Sequence, residues 1–184
     1  MFYVLIPIAI ILVVFLLIMA SYNQLVRLKS MAHEAWSGIE VQLKRRYDLI
    51  PNLVDIVKGY AQHEKNTFKE VVQMRTAAMQ ATTVEDKQAA EIGLTGALKT
   101  VFALAEQYPD LKANQNFLEL QKELSSIEHE LQLSRRYYNG AVRNYIISIH
   151  QFPSNILAKF FGFKEMDYFE LNSDQERSVP KIKF

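Results

Sequence analysis

The sequence lacks cysteine altogether and has only six glycines among its 184 residues. Without cysteine the chain has no disulfide, no thiolate zinc site, no cysteine nucleophile and no acceptor for a lipoprotein anchor. Glycine-rich phosphate loops, G-x-S-x-G elbows and H-E-x-x-H zinc motifs are missing as well. Its 21 basic and 20 acidic side chains leave a formal charge of +1, so no overall field selects nucleic acid or another highly charged partner.

Charge is also missing locally, because residues 2–20 form an uninterrupted apolar run. As a helix this run spans about 28 Å, close to the roughly 30 Å hydrocarbon core of a bilayer. A cleaved signal peptide is one alternative, but only Met1 precedes the run, which exceeds the usual ~7–15 apolar residues. A buried helix of a soluble protein is another, although so long a run is rare in a domain of this size. We expect an uncleaved transmembrane anchor at 1–21, a helical domain at 22–163 and a tail at 164–184.

Basic residues after the run predict its orientation in the membrane. Arg27 and Lys29 follow it closely, and Lys44, Arg45 and Arg46 lie further along, whereas no Lys or Arg precedes it. By the positive-inside rule, the N-terminus lies outside and the domain lies in the cytoplasm, at the inner cell membrane. The lipid bilayer is therefore an expected partner, and nucleic acid is not.

Helical periodicity follows the apolar run. Apolar residues recur at steps of three and four, which mark one face of a helix; they are Leu25, Leu28, Ala32, Trp36, Ile39, Leu43, Tyr47 and Ile50. Because no helix breaker separates Ala20 from Tyr22, we expect the anchor and the first bundle helix to form one rod. At Pro51 we expect the helix to continue with a bend or a very short break, and its apolar face then to extend to Met79.

The second half of the chain predicts two further long helices. Thr82-x-x-Glu85 fits a capping box that opens a helix reaching about Gln107. Asp110 is the predicted cap of a last long helix over 111–151, whose coiled-coil-like apolar spacing is typical of a bundle core. The predicted fold is therefore all-α, with an N-terminal transmembrane helix continuing into an antiparallel four-helix bundle of long helices.

The segment FPSNILAKFFGF follows the last long helix. Pro153 ends that helix, and a short amphipathic helix is expected at Ser154–Phe161. In one interpretation this helix is a lid on the bundle end, with Phe160, Phe161 and Phe163 protected from solvent. In the other it dips into the membrane surface or into a partner's groove.

Two long segments of the chain resemble the LemA family. They are YNQLVRLKSMAHEAWSGIEVQLKRRYDLIPNLVDIVKGYAQHE and YPDLKANQNFLELQKELSSIEHELQLSRRYYNGAVRNYIISIHQFPSNILAKFFGF, and together they cover most of residues 22–163. The resemblance implies a helical bundle behind a membrane segment in the bacterial cell envelope. It implies no established biochemical activity, and it is compatible with a partner in envelope quality control such as a membrane protease.

The four histidines do not form a recognisable metal or phosphotransfer site. A di-iron bundle needs Glu-x-x-His motifs, and none of His33, His63, His129 or His150 has a glutamate three residues earlier. Adjacent pairs such as His63-Glu64 point in different directions on a helix. We therefore expect no metal, no cofactor and no enzymatic activity.

Several polar residues are candidates for partner binding or for structural pairing. The chain contains two Arg-Arg pairs, Arg45-Arg46 and Arg135-Arg136. Both lie beside apolar stripes, so one arginine of each pair is expected near the core edge, where it would pair with an acidic side chain. The candidate partners are Glu40, Glu64, Asp48 and Glu128. The alternative is a docking patch for an acidic partner or for lipid headgroups. The candidates are Arg45, Arg46, His63, Glu64, Arg135, Arg136 and Asn144, with Arg75 as a further conspicuous arginine.

These observations predict a membrane-anchored scaffold or adaptor that binds a membrane-associated protein. One alternative is a homo-oligomer that self-assembles into a membrane-associated coat or ring. The other is an enzyme with an unrecognised site between helices.

Overall fold

The computed structural model describes residues 2–170, with side chains from residue 5 onward. This part of the chain is helical and contains no β-strand, which confirms the all-α prediction. It forms two compact units: a first unit of residues 2–39 with 136–168, and a second unit of residues 40–135 with 169–170. The helices are α1 (Phe2–Tyr60), α2 (Lys65–Gln80), α3 (Val84–Ala105), α4 (Pro109–Lys112), α5 (Gln115–His150) and α6 (Ser154–Phe161).

Helix α1 confirms that the apolar run continues without a break into the amphipathic segment and then through Pro51. Pro51 has no N–H, so the carbonyl of Tyr47, four residues earlier, lacks its helical donor. Arg75 of α2 supplies a replacement, because its Nε donates to that carbonyl over 2.8 Å. An external donor therefore satisfies the defect that proline introduces.

The predicted uninterrupted helix from Pro51 to Met79 is wrong. Helix α1 ends at Tyr60, just after Gly59, whose helix propensity is low. Helix α2 begins at Lys65 after a short connection at residues 61–64. Its buried side chains are Phe68, Val71 and Ala78, whereas the predicted Val72 and Met79 are about half exposed.

The first unit pairs α1 with the C-terminal part of α5 in antiparallel fashion. Leu25 shares a core cluster with Tyr145 and Ile149, and Trp36 further along α1 packs on Tyr138, with ring centroids 5.2 Å apart. Residues further along α1 therefore contact residues earlier in α5, which is the antiparallel arrangement.

Two buried phenols hold the segment after α6 against α5 in the first unit. Tyr138 donates to the carbonyl of Asp167, and Tyr145 donates to the carbonyl of Lys164, each over 2.8 Å. Burial, with a smaller contribution from Asp167, raises the pKa of Tyr138 to about 12. Both phenols are thus neutral donors at physiological pH.

Helix α6 has the bounds that the sequence predicts, and it ends at Gly162 with a φ of 70°, a left-handed conformation suited to glycine. The lid interpretation is wrong for two of its three phenylalanines. Phe160 is 81% exposed and Phe161 is 50% exposed, and only Phe163 is partly buried against the core cluster. The face of α6 that packs inward carries small and aliphatic side chains, Ala158 and Leu157.

The second unit is an antiparallel four-helix bundle of α1, α2, α3 and α5 segments. Lys58 lies over the Phe68 ring, Met74 lies close to Gly93, and Phe102 packs on Phe117. Asn114, just before α5, donates its side-chain N–H to the hydroxyl of Tyr60 at the end of α1 over 2.9 Å. This bond connects the last helix of the unit to the first.

The caps of the second unit differ from the predicted ones. Thr83, not Thr82, caps α3, because its hydroxyl accepts from the backbone N–H of Asp86. Asp110 lies inside the short α4 and does not cap α5. The carbonyl of the Asn114 side chain accepts from Phe117 N–H instead, so α5 begins at Gln115.

Candidate functional site

A buried ionic cluster occupies the centre of the second unit. Arg46 is 5% exposed and Glu91 is 0% exposed, and Arg46 Nη1 donates to Glu91 Oε2 over 2.8 Å. Arg46 Nη2 donates to Thr95 Oγ1 over 2.9 Å, and Glu128 lies 3.6 Å from Nη1. The Tyr47 hydroxyl donates to the other oxygen of Glu91. Both oxygens of this buried carboxylate therefore have a donor, as a charge removed from water requires.

Three helices bring these groups together. Arg46 and Tyr47 are neighbours on α1, Glu91 and Thr95 are one turn apart on α3, and Glu128 projects from α5. Burial raises the pKa of Tyr47, and the negative charge of Glu91 raises it further, so the phenol remains a donor. The cluster therefore fixes the register of α1 against α3.

Arg135 of α5 lies beside this cluster with buried donors that have no acceptor. Its Nε and Nη2 are shielded from solvent and make no hydrogen bond within residues 2–170. Its guanidinium lies 5.3 Å from the Phe169 ring centroid. Burial lowers the pKa of Arg135, while Glu128 and Glu91 counteract that shift, and an arginine stays charged at physiological pH. An unsatisfied buried donor costs roughly 1–3 kcal/mol, so a rearrangement that brings an acceptor to these atoms would be stabilising.

An open groove of about 870 Å³ runs between α3 and α5 along this cluster. Arg46, Arg135 and Lys99 line it, against the single carboxylate of Glu128, so the lining is net positive. Leu98, Phe102 and Leu124 supply its apolar surface, and the remaining lining residues are Ile92, Thr95, Gly96, Gln121, Ser125 and Gln132. Its size suits a small organic anion or a short peptide segment.

The lining of the groove is rich in hydrogen-bond donors. Its guanidinium, ammonium, amide and hydroxyl groups are hydrogen-bond donors suited to carboxylate or phosphate oxygens. Within the described residues, no group of three or more His, Asp or Glu side chains is placed to hold a metal ion.

Some of the predicted site residues line the groove, and the others lie away from it. Of the two Arg-Arg pairs, Arg46 is buried and Arg135 is half-buried, and both line the groove. Glu128 is the one predicted acidic partner in the ionic cluster, whereas Asp48 pairs with exposed Lys44 over 2.8 Å. The other candidates lie outside this site.

Five candidates occupy the surface or the α1–α2 connection. Arg45 is exposed and donates to Gln42. His63 is exposed, and Glu64 is the half-buried N-cap residue of α2, without a side-chain capping bond. Arg136 and Asn144 are exposed on α5.

Sequence reasoning missed Glu91, Tyr47 and Thr95 as members of the site. Glu91 had a detectable signal, because it lies three and seven residues before the buried Leu94 and Leu98 on one helix face. A charged residue in phase with an apolar stripe indicates a buried ion pair. No sequence signal paired it with Arg46, 45 residues away.

A second functional feature is the exposed apolar part of α1. The side chains of residues 5–20 are exposed, and α1 is the one described helix that is long and apolar enough to cross a membrane.

Comparison with known proteins gives the family. The sequence profile of the LemA family matches residues 35–184, which include the ionic cluster and the groove. The chain is 27% identical over 179 residues to magnetosome protein MamQ 2 of Paramagnetospirillum magneticum, covering 83% of this chain and 66% of that protein. It is 29% identical over 162 residues to protein LemA of Metamycoplasma hominis, covering 85% and 72%. The chain thus spans about two thirds of the length of MamQ. On the family match, which extends over most of its length, the chain belongs to the LemA family.

Proposed function

We propose that this protein is a membrane-anchored adaptor that holds an acidic segment of a membrane-associated protein in the α3–α5 groove. The single observation that carries the proposal is Arg135, which lines the net-positive groove and has two buried N–H donors without an acceptor. Because both donors are shielded from solvent, the guanidinium has to turn towards the groove before a partner's glutamate or aspartate can pair with it in the forked geometry that guanidinium groups favour.

The apolar surface of the groove favours a peptide over a free anion. Leu98, Phe102 and Leu124 offer burial to a hydrophobic side chain close to the acidic one. An acidic-hydrophobic segment would therefore contact both the cationic and the apolar part of the lining.

The anchor in this proposal is the exposed apolar part of α1, crossing the inner cell membrane once. Arg27 and Lys29 follow it within ten residues, which favours a cytoplasmic helical domain under the positive-inside rule. Anchoring confines the adaptor to partners at the same membrane and raises their effective concentration.

Site-specific photo-crosslinking in intact cells tests the proposal. A photoreactive amino acid at Ser125, in the groove, is compared with one at Glu123, an exposed α5 position that does not line it. We expect Ser125 to capture one membrane protein through an acidic peptide, and Arg135→Gln to reduce the capture at least several-fold.

Three outcomes would overturn the adaptor proposal. Equal capture from Ser125 and Glu123 would mean that the groove selects nothing. Self-crosslinks alone would favour the coat or ring. Capture of a small metabolite that is chemically converted in the presence of the protein would favour an enzyme.

A further inference from the structure

An exposed apolar surface lies on α6 of the first unit. Ile156 and Phe160 are four residues apart on one face of this helix and are 59% and 81% exposed. Phe161 beside them is 50% exposed, and Phe152, just before the helix, is 76% exposed. We name these four residues the aromatic edge. So much contiguous apolar surface is typical of a contact with a protein or a membrane.

The aromatic edge lies at the level where the apolar run ends. The Phe161 ring packs on Tyr22 with centroids 4.8 Å apart, and Phe163 packs on the same tyrosine at 5.9 Å. Tyr22 is two residues beyond Ala20, the last residue of the run, and thus about 3 Å further along the helix axis. Antiparallel α5 returns the chain to this level, where Ala158 of α6 joins the Leu25 cluster.

Basic side chains surround the aromatic edge. Lys159 and Lys164 are exposed on and just after α6, and Arg27 is exposed on α1. Lys29 lies over the Phe163 ring at 5.9 Å from its centroid. Long cationic side chains can extend past an apolar surface towards lipid phosphates. The nearby carboxylate of Glu165 is engaged by His150 over 2.8 Å.

We propose that α6 lies in the lipid headgroup region, with Phe160 and Phe161 inserted beside the transmembrane part of α1. The occupant is the bilayer itself, because the aromatic edge is continuous with the exposed apolar surface of the run through the Tyr22–Phe161 contact. Short helices with aromatic side chains on one face and lysines at its border bind membrane interfaces in this way. The inference rests on the membrane anchoring proposed above and is independent of the groove.

The absence of cysteine makes the test direct, since any single introduced cysteine takes a spin label alone. The full chain is reconstituted into bilayers of phosphatidylcholine and phosphatidylglycerol with a label at Phe160→Cys. The rate at which the label collides with oxygen, which partitions into lipid, is compared with the rate at which it collides with a water-soluble nickel complex.

The matched control is Tyr137→Cys in the same unit. Tyr137 is also an exposed aromatic, at 60%, but its neighbour Tyr138 packs on Trp36. Trp36 is fourteen residues beyond Tyr22, or about 21 Å further along α1. Val13→Cys, within the run, reports on the anchor itself.

We expect the oxygen-to-nickel collision ratio at position 160 to exceed that at position 137 several-fold and to approach the ratio at position 13. Equal ratios at 160 and 137, with a lipid-like ratio at 13, would overturn the α6 inference and leave the anchor standing. A water-like ratio at 13 would overturn the anchor, and the α6 inference with it. Unchanged far-ultraviolet circular dichroism verifies that each labelled variant is folded.

Discussion

The Arg46–Glu91 pair predicts a large and specific loss of stability on Glu91→Gln. The substitution keeps the side-chain shape and leaves Tyr47 an amide oxygen to donate to, but it removes the negative charge 2.8 Å from a buried guanidinium. Breaking a buried ion pair from one side costs roughly 3–5 kcal/mol. Arg46 keeps its bond to Thr95 and its approach to Glu128 at 3.6 Å. We therefore expect the lower end of that range, about 3 kcal/mol.

Urea unfolding of the full chain in a mild detergent measures this loss, followed by far-ultraviolet circular dichroism. The urea midpoint should fall while the dependence of unfolding free energy on urea stays unchanged. The matched control is Asp48→Asn, which breaks the exposed Lys44–Asp48 pair and should cost less than about 1 kcal/mol. The reasoning is refuted if the two substitutions cost the same.

A double substitution separates the loss of the pair from the general effect of changing a buried residue. Removing the guanidinium as well, in Arg46→Met with Glu91→Gln, takes away the unpaired charge that causes most of the cost. We expect the double variant to be less destabilised than the sum of the single variants by about 1–3 kcal/mol. Simple additivity would mean that the two groups are not energetically coupled.

Three further outcomes are expected. The free energy of unfolding should fall as the pH rises from about 10, the ordinary pKa of tyrosine, to about 12, the pKa of Tyr138 in the folded protein. The reason is that burial disfavours ionisation of this phenol in the fold, whereas it ionises freely in the unfolded chain. Tyr138→Phe should make the loss of stability smaller in an alkaline denaturation series. Arg135→Gln should leave the urea midpoint unchanged or raise it, because it removes unsatisfied buried donors, whereas Arg46→Gln should lower it. Thr83→Ala should cost about 1 kcal/mol of helix capping, and Thr82→Ala should be silent in the same unfolding assay.

The periodic parts of the fold could be predicted from the sequence because period and breaker signals are local. The unbroken spacing of apolar residues was enough to predict that the apolar run continues into the rest of α1. Pro153 was enough to place the start of α6. The end of α1 at Tyr60 was missed, because Gly59 is a weak signal when apolar residues continue on both sides. The cap at Thr83 was missed because Thr82 also has an acidic residue three positions later.

The site was less predictable because it depends on pairing between distant helices. The Arg-Arg pairs were conspicuous in the sequence, but which arginine turns inward depends on the phase of each helix. The burial of Glu91 was not predicted because single charges in a helical pattern are usually exposed. The unpaired donors of Arg135 arise only from the tertiary packing of α5 and cannot be read from its sequence.

The replacement donor at Pro51 has a consequence for how relatives of this chain vary. Arg75 is needed at the Tyr47 carbonyl because Pro51 cannot donate there. A relative with a non-proline residue at the position of Pro51 restores the ordinary helical bond, which releases the position of Arg75 from its constraint. Across an alignment, proline and arginine at these two positions should therefore covary, although 24 residues of sequence separate them.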